Sequence, residues 1–172
     1  MIGKQLSHYL IEEKLGEGGM GAVYLAEDLK LHRKVAIKVL RERLTQDEDR
    51  KRRFIREAHA AAAIDHPHIA AVFDIDEVDG RTFIAMEYVR EKSLRDAILE
   101  DSLSTEDVLN LAIQIADALS AAHDHRIVHR DIKPDNVIIT EDGYTKIIDF
   151  GLAKLLEAPT APLSDVKTPM AP

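Results

Sequence analysis

Polar and apolar residues alternate along most of the first half of the chain. Segments 8–16, 22–29 and 34–40 show this two-residue repeat and are rich in β-branched and aromatic side chains, which favours strands over helix. Two more alternating segments flank Asp79 and Gly80, a residue pair typical of a tight hairpin turn. The pattern therefore predicts five strands in this half.

A helix is predicted between the third and fourth of these strands. Thr45 and Glu48 form a capping box at the start of segment 45–64. Pro67 disfavours helical geometry in the residue before it, so we expect the helix to end before Asp65.

The second half of the chain has mainly helical spacing. Segment 90–99 predicts a short helix, and Ser104 with Asp107 opens a long helix over 104–125. The apolar stripe of the long helix comprises Val108, Leu111, Ile115, Leu119 and Ala122. Two short extended segments then flank the turn at 141–143 and predict a small hairpin.

The order of these elements predicts an α+β fold in two parts. Residues 1–89 are expected to form a five-stranded antiparallel lobe with one inserted helix. Residues 90–172 are expected to form a second, mainly helical lobe that carries the small hairpin. Its last stretch, 157–172, is rich in proline and has the composition of a flexible tail.

Composition narrows the possible functions. The 172 residues carry a net charge of −8, which argues against a general nucleic-acid binder, and without cysteine they form neither disulfides nor thiolate metal sites. No apolar run approaches the length of a membrane span, and the amino-terminal residues lack the pattern of a signal peptide. We therefore expect a cytoplasmic protein with no nucleic-acid partner and no membrane segment in this chain.

The stretch GEGGMG at 16–21 fits the pattern G-x-G-x-x-G, which several nucleotide-binding folds share. A dinucleotide-binding fold requires a helix after the glycines, whereas the residues after Gly21 alternate like a strand. A P-loop is excluded as well, since no Gly-Lys-Ser/Thr sequence follows. Two interpretations remain: a hairpin tip that folds over phosphate groups, or a plain flexible turn.

Two charged residues occupy otherwise apolar faces. The neighbours on these faces are Ala36 and Leu40 beside Lys38, and Phe54, Ala61 and Ile64 beside Glu57. Burying a charge without a partner costs on the order of several kcal/mol of folding free energy, so each of these side chains needs a partner. We expect Lys38 to pair with Glu57. The alternative is that both side chains reach solvent at the edge of the lobe.

A run of charged residues follows the long helix. Asp131, Lys133 and Asn136 lie between apolar flanks, and Asp149 ends an apolar strand. These residue types suit phosphoryl transfer, because a carboxylate can accept a hydroxyl proton, a lysine can offset phosphate charge, and amide and carboxylate oxygens can bind Mg²⁺. Each residue alone is also compatible with a turn cap; the combination favours chemistry.

Taken together, these motifs resemble the eukaryotic-like (Hanks-type) serine/threonine protein kinases of bacteria. The matching segments follow the order of that family: LGEGGMGAVY (15–24), VAIK (35–38), Glu57, HPHI (66–69), MEYV (86–89), HRDIKPDN (129–136) and DFG (149–151). The resemblance implies a protein-kinase-like fold. It also implies an enzyme that transfers the γ-phosphoryl group of ATP, with Mg²⁺, to Ser/Thr hydroxyls of protein substrates.

The resemblance further implies which positions bind the nucleotide. The implied phosphate contacts come from Gly16, Gly18, Gly21 and Lys38, the last held by Glu57. The implied adenine contacts come from Val23, Ala36, Met86, Ile138 and the backbones of Glu87 and Val89.

The resemblance also implies catalytic and regulatory positions. Asp131 would be the catalytic base, Lys133 would contact the γ-phosphate, and Asn136 and Asp149 would hold Mg²⁺. His129 is expected to pack as a structural residue. The candidate phosphorylation sites of the activation segment are Thr160, Ser164 and Thr168.

The carboxyl-terminal residues KTPMAP depart from the family pattern, which continues into a tyrosine, an Ala-Pro-Glu element and further helices. We therefore expect a kinase catalytic domain truncated at the activation segment, with the remaining lobe or a partner covering the long helix. The alternative function is a non-catalytic ATP-binding or interaction module.

Overall fold

Strands dominate the first half of the computed structural model. The structure describes residues 1–18, 21–42 and 48–150, in which the side chains at positions 50, 53 and 57 are not described. The strands of this half are β1 (Gln5–Leu6), β2 (Tyr9–Gly18), β3 (Gly21–Asp28), β4 (Arg33–Leu40), β5 (Val72–Val78) and β6 (Arg81–Glu87). Within the described residues they form one antiparallel sheet in the order β1-β2-β3-β4-β6-β5.

All five predicted strands are present, and β1 is an additional one. Its two residues pair with Leu10 and Tyr9 of β2, and so short a strand has too few positions to show alternation. The predicted turn joins β5 to β6, with Asp79 and Gly80 at φ values of 51° and 72°. Positive φ at both central residues is the geometry that twists a two-residue hairpin correctly.

Both faces of this sheet carry buried apolar residues, which form two separate clusters. One face carries Val35, Ile37, Phe83 and other apolar residues that pack among themselves. The opposite face carries Ala36, Leu40, Ile84 and Met86, which pack with Phe54. Because side chains alternate along β4, Lys38 lies on the same face as Ala36 and Leu40, as the sequence predicts.

Phe54 belongs to helix α1 (Glu48–Ala62), the predicted inserted helix. It is 1% exposed, and Ala58 and Ala61, one and two turns further on, are also buried. The predicted capping residue Thr45 lies outside the described residues.

A three-stranded sheet and two helices make up the second half. Its elements are β7 (Lys92–Ser93), α2 (Leu94–Leu99), α3 (Thr105–Asp124), a single 3₁₀ turn (Pro134–Asn136), β8 (Val137–Ile139) and β9 (Thr145–Ile147). The strand order is β7-β8-β9, and all pairs are antiparallel. The sequence predicts helix across 90–99, whereas β7 occupies its start because Lys92 and Ser93 pair with Ile139 and Ile138.

Both helices of this half begin with a capping box. Ser104 and Asp107 form the predicted one at the start of α3, and Ser93 with Asp96 forms the same arrangement at α2. In each, the serine hydroxyl accepts from the backbone N–H three residues on, while the aspartate accepts from the serine N–H.

One face of α3 joins the two halves of the fold. Ala118 and Ala122 pack with Ile64, Ile147 and Phe150 in a single apolar cluster, to which Ile115 and Leu119 of the predicted stripe also contribute. Val108, at the start of that stripe, is instead 51% exposed, and Leu109 and Ile113 are more exposed still. None of the described helices combines the length and apolar character needed to cross a membrane.

Candidate active site

A cleft of about 820 Å³ lies between the large sheet and the small sheet. Residues 86–91, at the end of β6, line the back of this cleft, and we call this segment the hinge. Many of the residues predicted from the sequence line it: Gly16, Val23, Ala36, Met86, Glu87, Val89, Lys133, Asn136, Ile138 and Asp149. The chain thus brings to one place side chains from both halves of the sequence.

The three predicted glycines have different surroundings. A Cβ at Gly16 or Gly18 would meet no atom within 4 Å among the described residues other than its chain neighbours. A Cβ at Gly21 would instead overlap the carbonyl group of Val39 on the neighbouring strand. Gly21 is therefore required by the close approach of β3 to β4, a reason that the sequence motif does not reveal.

Lys38 extends from β4 to Asp149 at the far side of the cleft. Its Nζ lies 2.6 Å from Asp149 Oδ2, and the two side chains are 12% and 30% exposed. Such a short contact between a part-buried ammonium and a carboxylate is a charge-assisted hydrogen bond. The sequence places both residues in one site but does not identify them as partners.

Glu57, the expected partner of Lys38, lies in α1 one turn after Phe54. Its side chain falls outside the described residues, so the Lys38–Glu57 pair stays a prediction. The candidate phosphorylation sites at 160, 164 and 168 also lie outside the described part of the chain.

Asp131 is the centre of a polar cluster in the loop before β8. Lys133 Nζ donates to Asp131 Oδ2 over 2.8 Å, and this bond raises the pKa of the Lys133 ammonium. The Asn136 amide nitrogen donates to the Asp131 backbone oxygen at 2.8 Å and to its carboxylate at 3.3 Å. With its nitrogen so engaged, Asn136 has Oδ1 as the atom left to act as a ligand.

His129 connects this loop to the segment that carries Asp149. It is 1% exposed, its Nε2 lies 3.0 Å from the oxygen of Ile148, and its Nδ1 accepts from the N–H of Asp131. Burial lowers the pKa of the imidazole. Together these bonds indicate a neutral ring that donates through Nε2, which agrees with the packed role expected from the sequence.

Two residues of the site region, Asp149 itself and Arg130 beside Asp131, have left-handed backbone geometry. Arg130 has a φ of 65° and Asp149 a φ of 60°. Non-glycine residues adopt this conformation at a cost of roughly 1–3 kcal/mol and hold it where the surrounding structure requires it. Here the surrounding bonds both involve Ile148. Its backbone oxygen lies 3.0 Å from His129 Nε2, and its N–H donates to the backbone oxygen of Asn136 at 2.9 Å.

Sequence reasoning missed one residue that holds the loop from outside. Arg95 in α2 contacts Asp135 through Nε at 2.6 Å. The contact raises the pKa of the guanidinium and lowers that of the Asp135 carboxyl. Forty residues separate the two side chains, so no local spacing in the sequence could have indicated the pair.

Comparison with known proteins agrees with this geometry. Residues 9–172 match the protein family described as the protein kinase domain. The chain is 44% identical to the serine/threonine-protein kinase PrkC of Bacillus subtilis, over 93% of this chain and 25% of that protein. It is 42% identical to the serine/threonine-protein kinase PknB of Mycolicibacterium smegmatis, over 86% of this chain and 24% of that protein.

A solved structure shows the same fold. The kinase domain of Mycobacterium tuberculosis PknI superimposes with a TM-score of 0.79 at 35% identity, covering 89% of this chain and 62% of that one. The chain thus spans about a quarter of the length of the curated relatives it matches and less than two thirds of the solved kinase domain.

Proposed function

The chain belongs to the protein kinase domain family, and we propose that it transfers the γ-phosphoryl group of ATP to serine and threonine hydroxyls of proteins. One observation carries the proposal. Lys38 contacts Asp149, the residue before Asp149 is bonded to Asn136, and Asn136 is bonded to Asp131, so one continuous set of contacts crosses the cleft.

The cleft fits a nucleotide in size and in the character of its walls. Ligand pockets usually enclose about 300–1,000 Å³ and are mainly apolar with a few directed polar groups. Val23, Ala36 and Ile138 supply apolar surface for a base, and Met86 closes the cleft behind them. The backbone groups of the hinge supply hydrogen bonds for the edge of the base. The lobes expected at 1–89 and 90–172 would meet at this hinge.

The donor atoms at the inner end of the cleft fit Mg²⁺. This ion prefers hard oxygen ligands and is commonly held by one or two side chains together with substrate phosphates. Asn136 Oδ1 and the Asp149 carboxylate would provide the protein's share. When bound, ATP would supply the phosphoryl group to be transferred, and Mg²⁺ would offset the negative charge of its phosphates. Lys38, already beside Asp149, would add its positive charge next to the phosphates.

Asp131 is the group suited to orient the accepting hydroxyl and take its proton. Its backbone and carboxylate are both anchored by Asn136, and its N–H is held by His129. Lys133, bonded to the same carboxylate, would lie beside the transferred group and offset its charge. Because ATP is the phosphoryl donor, we place the reaction in the cytoplasm.

The test is transfer of radiolabelled phosphate from Mg²⁺-ATP to a serine- and threonine-containing acceptor protein such as casein. Asp131→Asn is the control, because it retains size and hydrogen bonding but removes the proton acceptor. We expect the substitution to slow transfer by about 10²–10⁴-fold, the range for a general base. Phosphoamino-acid analysis of the product should show phosphoserine and phosphothreonine.

A second function, a non-catalytic ATP-binding or interaction module, is favoured by one feature. Val108, Leu109 and Ile113 on α3 are 51%, 60% and 67% exposed, and exposed apolar surface of this kind typically contacts a partner or another part of the protein. Transfer no faster than that of Asp131→Asn, with ATP binding intact, would support this module and contradict the kinase.

A further inference from the structure

We propose that Lys146 is a positioning residue for the nucleotide, acting through Glu87 on the hinge; the inference rests on the proposed ATP site. Lys146 is not among the residues that line the cleft in the described part of the chain. Its influence would therefore be indirect, through the backbone that receives the base.

The Glu87 side chain joins three parts of the fold at the start of the hinge. Its Oε2 accepts from Lys146 Nζ at 2.9 Å and from the backbone N–H of Ala71 at 3.2 Å. The backbone N–H of Glu87 in turn donates to the oxygen of Ala71 at 2.8 Å. Glu87 is thus hydrogen-bonded to Ala71 through both its main chain and its side chain, and Lys146 fixes the position of that side chain.

Lys146 reaches Glu87 from β9, the strand that pairs with β8. In the β8–β9 pair it lies directly opposite Ile138, one of the residues that line the cleft. Directly opposed residues of antiparallel strands project from the same face of the sheet. The ammonium of Lys146 therefore connects the β8–β9 pair, which carries Ile138, with the hinge.

Backbone hydrogen bonds close these contacts into a ring. Ala70 donates to the oxygen of Ile147, and Ile147 donates to the oxygen of His68, both at 2.9 Å. Segment 68–71 is consequently fixed to β9 by main-chain bonds and to the hinge through Glu87. The Lys146–Glu87 pair is the side-chain link that completes the ring.

Partial burial makes this pair more than a surface contact. The side chains of Lys146 and Glu87 are 22% and 30% exposed, and Glu87 has two donors on one oxygen. Without the ammonium, the Glu87 carboxylate would keep only the Ala71 N–H as a donor and would remain partly buried. The start of the hinge would then become more mobile. We expect weaker nucleotide binding, with the rate at saturating ATP retained.

The test compares Lys146→Met with Lys146→Arg, Glu87→Gln and the matched control Lys92→Met. Lys92 lies in β7 of the same small sheet, directly after the hinge, but its ion pair at 3.0 Å is with Glu100 and not with a hinge residue. Two readouts are measured on the 172-residue chain: the Kd of a fluorescent ATP analogue with Mg²⁺, and amide hydrogen exchange of peptides covering 68–72 and 84–91. The transfer assay adds the KM for ATP and kcat.

We expect Lys146→Met to weaken analogue binding about fivefold, the size of effect typical of a coupled charged pair, and to speed exchange in both peptides. Arginine should restore most of both properties, and Lys92→Met should change neither. Glu87→Gln combined with Lys146→Met should weaken binding no more than either alone. KM should rise with kcat within about twofold.

Three results would overturn parts of this account, each distinguishable. Unchanged exchange in Lys146→Met would refute the link itself, whatever happens to binding. Faster exchange with unchanged Kd would refute the effect on the nucleotide. Absence of analogue binding by the unsubstituted chain would instead refute the proposed ATP site, and with it the nucleotide half of this inference, while the exchange data would still decide the link.

Discussion

Lys38 and Asn136 belong to the same site but are held there in different ways. Lys38 lies in β4, whose alternate residues Val35 and Ile37 are fully buried in the core of the large sheet. Asn136 lies in a single 3₁₀ turn and is held by hydrogen bonds to Asp131 and Ile148. Strand register and packing place the first; a polar network places the second.

The comparison separates stability from activity. In the large sheet, a disturbed position affects an extended apolar core, so substitutions there should reduce the free energy of unfolding. In the loop before β8, the positions of the side chains depend on a few directed hydrogen bonds around His129 and Asn136, so substitutions there should reduce activity more than stability.

The strongest challenge to this comparison is Phe83→Ala. Phe83 is fully buried in the core of the large sheet, and truncating such a residue costs about 3–5 kcal/mol of unfolding free energy. Ile98→Ala, at a 54% exposed position in α2, should change stability by less than about 0.5 kcal/mol. Urea denaturation measures both. Similar losses of unfolding free energy in the two variants would show that the apolar core of the large sheet does not contribute more to stability than an exposed position in α2.

Two glycine substitutions at the β2–β3 hairpin compare a position in close contact with β4 and a position with open space. Gly21→Ala should destabilise by about 2–3 kcal/mol, because the added methyl group overlaps the backbone of Val39. Gly18→Ala has space around it and should leave the unfolding free energy nearly unchanged. Thermal and urea unfolding of the two variants decides this point; equal stability would contradict the close approach of β3 to β4.

In the loop before β8, Asn136→Ala should reduce kcat by about 10- to 100-fold, or about 1.4–2.7 kcal/mol of barrier. It removes the amide that anchors Asp131 as well as the proposed Mg²⁺ ligand. Asn110→Ala on the exposed side of α3 is the matched control. The comparison fails if the transfer rate is retained while the unfolding free energy falls.

The smallest expected effect is a pH dependence due to His129. Burial lowers its pKa in the folded chain below the ordinary value of 6.5, so the unfolded chain binds the proton more readily. Stability should be constant above pH 6.5 and fall as the pH decreases through 6.5 toward the folded pKa, with a slope of at most about 1.4 kcal/mol per pH unit.

His129→Gln should remove that contribution, whereas His125→Gln, at the exposed end of α3, is the matched control. Urea midpoints between pH 5 and 8 in EDTA-containing buffer provide the measurement. A pH profile that is the same for His129→Gln as for the unsubstituted chain would show that His129 is not held neutral by the loop.

The sequence predicts the fold well where local pattern decides structure. Alternation locates the five longer strands, the pair Asp79-Gly80 locates the hairpin turn, and Ser104 with Asp107 locates the start of α3. The same capping pattern at Ser93 and Asp96 could have placed the start of α2 correctly. The two-residue strands β1 and β7 could not be predicted, because two residues are too few to show alternation, and the partners of β7 lie more than 40 residues further along the chain.

The sequence predicts candidate residues for the site but not the contacts that these residues make. Motif spacing predicts that Lys38, Asp131 and Asn136 belong to one site. The pairing of Lys38 with Asp149, and that of Arg95 with Asp135, join residues 111 and 40 positions apart. Such contacts arise from the tertiary packing of segments far apart in the chain, which local sequence patterns do not reveal.

The most direct test of the account is whether the 172-residue chain binds ATP in a way that depends on Mg²⁺, Lys38 and Asp149. Titration calorimetry with ATP in Mg²⁺, and again in EDTA, is compared for the unsubstituted chain, Lys38→Met and Asp149→Asn. The account predicts saturable binding that weakens by about tenfold or more on removing Mg²⁺ or substituting either residue. Equal affinity of all three proteins with and without Mg²⁺, or tighter binding of NAD than of ATP, would contradict this expectation.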